Sequence, residues 1–249
     1  MFGGAKMMDF DEAMAQGLIE WTPEEVLDSF IDAVATQSVP GFKADPSYKV
    51  VYTPLNGSGM ECVTRILERI GVTNVEVPAE QAQPNGDFPT CNYPNPEVRE
   101  ALDLGLKLCD EVKPNLLLAT DPDADRMGTA IPHAGEYKLL SGNEMGVLIM
   151  DWLCQRKKAA GEDIASKVAV STIVSSSMPD ALARDWGFEM RRVLTGFKYI
   201  GDQIDQLKDA DEEDRYLMGF EESYGYLIGT HARDKDAIVA SLMAVEMSA

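Results

Sequence analysis

Apolar residues in this chain recur at two spacings, one suited to strands and one to helices, and the two alternate along most of its length. Short segments at Tyr48–Tyr52, Val72–Val77, Leu116–Thr120, Lys167–Val174, Glu189–Val193 and Tyr216–Gly219 read as strands. Between and after them, Ser58–Ile70, Pro96–Glu111, Asn143–Lys158, Pro179–Trp186, Phe197–Leu207 and Asp234–Met247 read as helices. Two amphipathic helices, Asp9–Glu20 and Pro23–Thr36, precede the first strand. Thr22 stands where the second helix would be capped, with Pro23 at its first position and Glu25 three residues after the cap. Met127–Pro132 and Glu136–Leu140 predict a short antiparallel excursion around a turn at His133–Gly135. This alternation implies an α/β fold: two consecutive α/β/α layered domains with mixed, mainly parallel sheets, at residues 44–141 and 142–249. Residues 1–43 would be a helical connection leading into them. Ligands of such sheets gather where loops leave the carboxyl ends of the strands.

One such loop stands out. Asp121, Asp123 and Asp125, followed at once by Arg126, leave the apolar strand Leu116–Thr120. Three carboxylates two residues apart can turn their oxygens toward one point, and they repel one another unless a cation sits among them. Mg²⁺ or Ca²⁺ suits such hard oxygen ligands. The adjacent guanidinium makes sense if an anion, such as a phosphate, meets the metal and pairs with Arg126. An EF-hand loop would need Gly at its sixth position and Glu at its twelfth, where this chain has Arg126 and Pro132. An aspartyl-nucleophile phosphatase also places Asp-x-Asp after an apolar strand, and Asp125 stands where a hydroxyl or β-branched residue is usual. A solvated acidic turn is the plainest alternative.

Other strand-to-helix loops offer further candidates. Asn56-Gly57-Ser58-Gly59 opens a helix as a phosphate-cradling turn would, yet Cys62 replaces the third glycine of a dinucleotide fingerprint and no P-loop Lys follows. A tight βα turn without ligand accounts for it more simply. Thr195-Gly196-Phe197-Lys198 could hold a phosphate on backbone N–H groups and Lys198, or could be a Thr cap beside a surface Lys. Gly219-Phe220-Glu221-Glu222-Ser223-Tyr224-Gly225 carries consecutive carboxylates that could bond vicinal hydroxyls, hence a sugar. Arg233 and Lys235 follow closely enough to meet a phosphate beside that sugar, and His231 is a weaker candidate.

Charge narrows the partners. With 22 basic against 42 acidic residues the net charge is −20, which argues against nucleic acid or an anionic membrane surface. An anionic substrate must therefore meet local cations, and Arg126, Lys198, Arg233 and Lys235 are the candidates. No apolar run approaches the roughly 20 residues needed to span a bilayer. No basic segment leads into an apolar one at the N-terminus, so no secretory signal is expected. Cys62, Cys91, Cys109 and Cys154 are widely spaced and form no Cys-x-x-Cys pair, which disfavours zinc and fits reduced thiols in a cytoplasmic protein.

Taken together, these loops resemble those of the α-D-phosphohexomutase superfamily, the phosphoglucomutases and phosphomannomutases. The family's metal loop is Asp-x-Asp-x-Asp-Arg, matched by Asp121–Arg126. Its sugar loop is Gly-Glu-x-Ser-Gly: Glu221 and Ser223 fall at matching places, Phe220 interrupts the Gly-Glu step, and Tyr224 stands where Gly is frequent. Thr195–Lys198 and Arg233–Asp236 follow the family's order, and the Gly219–Tyr226 wording is similar to the branch that includes phosphopentomutases. The resemblance implies Mg²⁺ on Asp121, Asp123 and Asp125. It implies catalytic roles for Arg126 and Lys198, and substrate contacts from Glu221, Ser223, Thr195, Gly196, Lys235 and Arg233. The family's phosphoserine motif, Thr-x-Ser-His-Asn-Pro, and its Arg-x-Ser-Gly-Thr phosphate clamp do not occur here. The chain then corresponds to the second and third domains of a four-domain enzyme, inactive by itself, whose first and fourth domains belong to the same polypeptide. The implied parent interconverts glucose 1-phosphate and glucose 6-phosphate through a phosphoserine and a bisphosphate. Mannose or pentose phosphates remain open as substrates, as does a non-catalytic module that binds metal and sugar phosphate.

Overall fold

The structure, a computed structural model, describes residues 4 and 6–249. Residues 1–3 and 5 of the expected helical connection lie outside the described residues. Two helices come first, α1 (Phe10–Ala15) and α2 (Glu24–Ala35). The first half then runs β1 (Lys49–Thr53), α3 (Met60–Arg69), β2 (Asn74–Glu76), α4 (Asp103–Val112), β3 (Leu116–Thr120), β4 (Met127–His133) and β5 (Glu136–Leu140). Its sheet has the order β2-β1-β3-β4-β5, with a parallel core and β4 and β5 added antiparallel.

The second half begins with α5 (Gly142–Ala159), closed by a capping box in which Ser141 and Glu144 satisfy each other's backbone N–H groups. It continues through β6 (Val168–Thr172), α6 (Met178–Trp186), β7 (Glu189–Val193), α7 (Lys198–Asp209), β8 (Tyr216–Phe220), β9 (Tyr226–Leu227) and α8 (Ala237–Ser248). The sheet order is β7-β6-β8-β9, parallel except for β9.

Strand alternation distributes the core between layers. On the first sheet, Val50, Tyr52, Leu116 and Leu118 pack with Val63, Ile66 and Leu67 of α3, while Val51, Leu117 and Ala119 pack with Cys109 of α4. On the second, Val168 and Val170 meet Phe197, Ile200 and Ile204, and Ala169 faces the opposite cluster. Helix α8 is different. Every residue from Ala237 to Glu246 is buried, so it has no solvent face. It packs on α3 and β3 of the first half and on α5 and β9 of the second, and one apolar cluster runs through both. Among the described residues, no helix is long and apolar enough to cross a membrane.

Several predicted elements change. Helix α1 stops at Ala15, because Gly17 adopts φ +69°, and Asp9 caps it by accepting from the N–H groups of Asp11 and Glu12. Thr22 does not cap α2: Pro23 takes the cap position in extended backbone, with no side-chain bond. The helix expected from Pro96 is a 3₁₀ turn at Arg99–Leu102 followed by α4, which leaves Pro96 and Glu97 in a loop.

Candidate functional site

Strand β3 is buried throughout and delivers Asp121 to the carboxyl edge of the first sheet. The chain then reverses through Ala124 in left-handed backbone, φ +57°. Asp121 Oδ1 accepts from the backbone N–H groups of Asp125 at 3.0 Å and Arg126 at 2.9 Å, which folds the loop back on itself. One carboxylate oxygen each from Asp121, Asp123 and Asp125 lies within 4.8 Å of the others. Burial pushes the Asp121 carboxyl well above the usual carboxylate range, the N–H of Arg126 opposes this, and the charges of Asp125 and Asp123 add to it. Asp125 Oδ1 is buried with no hydrogen-bond partner among the described residues. An all-oxygen donor set, mutual repulsion and an orphaned buried oxygen together fit a hard divalent cation.

The Asn56–Gly59 turn braces this loop. Ser58 donates to the Pro122 carbonyl from its backbone N–H at 2.8 Å and from Oγ at 3.0 Å. A Cβ on Gly57 would lie 2.4 Å from Pro122 Cα. Its glycine therefore serves close approach of two backbones, in keeping with the turn reading.

The Glu221 loop is built from the second half. Strand β8 leads into buried Glu221, Tyr224 adopts φ +66°, and the Glu221 N–H closes the turn on the Gly225 carbonyl at 2.9 Å. Ser223 is half-buried on the same turn. The Met127 N–H donates to Tyr224 O at 3.0 Å, and Arg126 and Gly225 form an antiparallel bridge. That bridge joins the aspartate loop to the Glu221 loop across the two halves. Gly142 admits the loop from below, since a Cβ there would lie 2.1 Å from Glu222 O.

Two more loops converge. Gly196, at φ +112°, donates its N–H to Glu221 Oε1 at 2.7 Å, so the Thr195–Lys198 segment touches the sugar-loop candidate directly. Thr195 and Lys198 are exposed beside it, with Lys198 Nζ 5.0 Å from the centre of the Tyr199 ring. Lys235 Nζ donates to Asp125 Oδ2 at 2.5 Å. Burial works against the Lys235 charge, but the hydrogen bond and charge of Asp125, together with the charge of Asp234, outweigh it and hold the ammonium above the usual lysine range. A cavity of about 290 Å³ opens here, lined among others by Ser58, Asp123, Asp125 and Lys235. A larger one of about 420 Å³, around Trp152 and Arg156, includes none of the site candidates.

Arg233 is not brought into this group. Its Nε pairs with Asp205 of α7 at 2.6 Å, its Nη1 donates to the carbonyls of Thr230 and Ala232, and its Nη2 faces Glu213 at 3.5 Å. Its guanidinium ties a loop to α7 instead of facing the aspartates. His231 is likewise occupied, with Nε2 at 2.8 Å from Asp236 Oδ2, while Asp236 Oδ1 caps α8 by accepting from Ile238 and Val239 N–H.

Three neighbours of the site went unnoticed in the sequence. Glu97 pairs with Arg126 at 3.1 Å. Thr172 and Ser175 donate their hydroxyls to Glu222 Oε2 at 3.0 and 2.8 Å. No local spacing marks any of them, because each reaches its partner over at least 29 positions of chain.

Comparison with known proteins adds a second kind of observation. A family profile described as "Phosphoglucomutase/phosphomannomutase, alpha/beta/alpha domain II" matches residues 28–135, and its counterpart for domain III matches residues 141–249. A phosphoglucomutase of Staphylococcus saprophyticus is 37% identical over 231 residues, covering 92% of this chain and 41% of that protein. A phosphoribomutase of Saccharomyces cerevisiae is 34% identical, covering 97% and 41%. The chain thus spans about two-fifths of the length of these relatives. A crystal structure of a phosphoglucomutase/phosphomannomutase family protein from Burkholderia thailandensis superposes with a TM-score of 0.67 at 14% identity, over 90% of this chain and 43% of the other, which establishes likeness of fold.

Proposed function

The chain belongs to the phosphoglucomutase/phosphomannomutase family, and we propose that it is the metal-binding and sugar-recognition part of a mutase interconverting glucose 1-phosphate and glucose 6-phosphate. One observation carries this reading. An unbroken series of contacts runs from Lys235 to Asp125, across the Arg126–Gly225 bridge to the Glu221 loop, and on to Gly196. Four loops from both halves thereby share one surface, as a substrate with a phosphate at one end and hydroxyls beside it requires.

In the proposed reaction, a phosphoserine from another part of the same polypeptide gives its phosphoryl group to a free hydroxyl of the sugar monophosphate. The serine O–P bond breaks as the sugar O–P bond forms, and the proton lost by the sugar hydroxyl ends on the freed serine oxygen. The bisphosphate then turns over and returns its other phosphoryl to the serine. Asp121, Asp123 and Asp125 would hold Mg²⁺, which when bound supplies positive charge beside the transferring group. Arg126 would pair with the equatorial oxygens of that group. Glu221 and Ser223 would bond the sugar hydroxyls in either orientation, with Thr195 and the Gly196 backbone forming the adjacent wall. Lys198 and Lys235 would bind near the reacting end. Arg233 would act through the loop it ties to α7. The four cysteines are unpaired, which suits a reducing cytoplasm.

A pentose phosphate is the second reading, favoured by the 34% identity to a phosphoribomutase. The product of the whole coding sequence, assayed on glucose 1-phosphate, mannose 1-phosphate and ribose 1-phosphate, separates the readings. Fastest turnover of the glucose ester is expected, with ribose 1-phosphate in the lead selecting the alternative. Asp123→Ala should lower turnover by about 10²-fold or more. Calorimetric titration of this chain with Mg²⁺ isolates the metal part: equal heats from wild type and Asp123→Ala would remove it.

A further inference from the structure

The guanidinium of Arg126 stands among three carboxylates, and among these Glu97 alone accepts a hydrogen bond from it. Its Nη1 donates to Glu97 Oε1 at 3.1 Å, whereas its Nε lies 3.8 Å from both Asp121 Oδ2 and Asp125 Oδ1. Those longer separations permit attraction without a bond. The guanidinium is therefore held at the rim of the aspartate trio by a residue outside it.

The place of Glu97 is set by backbone. Its N–H donates to Asn95 Oδ1 at 2.9 Å, which fixes the turn, and Pro96 lies directly on Gly128 of β4. A Cβ on Gly128 would come within 2.7 Å of Pro96 Cβ and 2.9 Å of Pro96 O. Gly128 is two residues beyond Arg126 on the same strand side of the loop. Loop and strand thus meet at a separation that only glycine permits, and this aligns Glu97 with Arg126.

Resting on the reading of Asp121, Asp123 and Asp125 as a divalent-cation site, we propose that Glu97 is a positioning residue for Arg126. Without Glu97, the nearest anions to the guanidinium are Asp121 and Asp125 themselves. Arg126 would then settle onto Asp121 and Asp125 and compete with the cation for their oxygens. With Glu97 in place, those oxygens stay available, and the Nε and Nη2 edges of the fork are left for phosphoryl oxygens. Glu97 is only partly exposed, at 33% of its side chain, so solvent does not fully screen the pair.

The test is a double-mutant cycle on Mg²⁺ affinity, with calorimetry on the chain as it stands. Glu97→Gln keeps shape and removes charge, and should raise the Mg²⁺ Kd about threefold to tenfold. In an Arg126→Gln background the same substitution should change Kd by less than about twofold, because its effect runs through the guanidinium. Equal fold-changes in both backgrounds would mean that Glu97 acts through its own charge or by general disruption of the loop, and would overturn the proposal. So would an unchanged Kd for Glu97→Gln. Absence of saturable heat from the wild-type chain is a different result, and it would bring down the metal reading on which this one rests.

Discussion

At Gly57 the obstacle to any side chain is another backbone. A methyl group there would meet Pro122 Cα at 2.4 Å and Pro122 O at 2.6 Å, and neither atom can move unless the aspartate loop moves too. Gly57→Ala should therefore cost about 1–3 kcal/mol in urea unfolding and weaken Mg²⁺ binding together. A variant with wild-type stability and affinity would show that the two turns are not in load-sharing contact. The aspartate trio was legible because its information is local: three carboxylates at fixed spacing after an apolar strand. Glu97, Thr172 and Ser175 were not, since their partners lie far along the chain. Arg233 shows the same dependence on remote partners. Its neighbourhood in sequence suggested a phosphate, while Asp205 and Glu213, remote in sequence, occupy its guanidinium.

Elements were easiest to read where length and pattern agreed. Leu116–Thr120 and Glu189–Val193 form as predicted, whereas the two-residue β9 is too short for any period and depends on its pairing with β8. Helix α8 was predictable as a helix but not in its location, because a helix apolar on all sides names no face. Its one buried charge makes it testable. Glu246 accepts from Ser38 Oγ and from the Val39 N–H, yet burial outweighs these bonds and raises its carboxyl above the ordinary value of 4.5. The folded state then binds this proton more readily than the unfolded chain does. Its contribution to stability is accordingly highest below 4.5 and declines as pH rises through the elevated folded value. Glu246→Gln should remove that decline, so the stability difference between variant and wild type should grow between about pH 5 and about pH 7. Urea titrations at both pH values measure it, and parallel curves would reject the buried-charge account.

At the scale of the whole molecule, the two sheets are separate but the core is not. Val63, Ile66, Leu118 and Met127 of the first half share an apolar cluster with Ile149, Met218 and Phe220 of the second, and α8 lies among them. The first half therefore completes its core with a helix that enters from the far end of the chain. A polypeptide of residues 1–141 would leave the α8-facing side of α3 and β3 open to water, an exposed apolar patch of the kind that favours aggregation or a loosely packed state. It is expected to bind a hydrophobic dye and to lack a cooperative urea transition. The full chain should unfold once, with tryptophan fluorescence and far-ultraviolet circular dichroism coinciding. Independent, cooperative unfolding of the 1–141 polypeptide at near wild-type stability would mean that α8 is an accessory to the first half. In that case polar contacts such as Lys235–Asp125, the Met127 N–H bond to Tyr224 O and the Arg126–Gly225 bridge would have to hold the four loops together without a shared core.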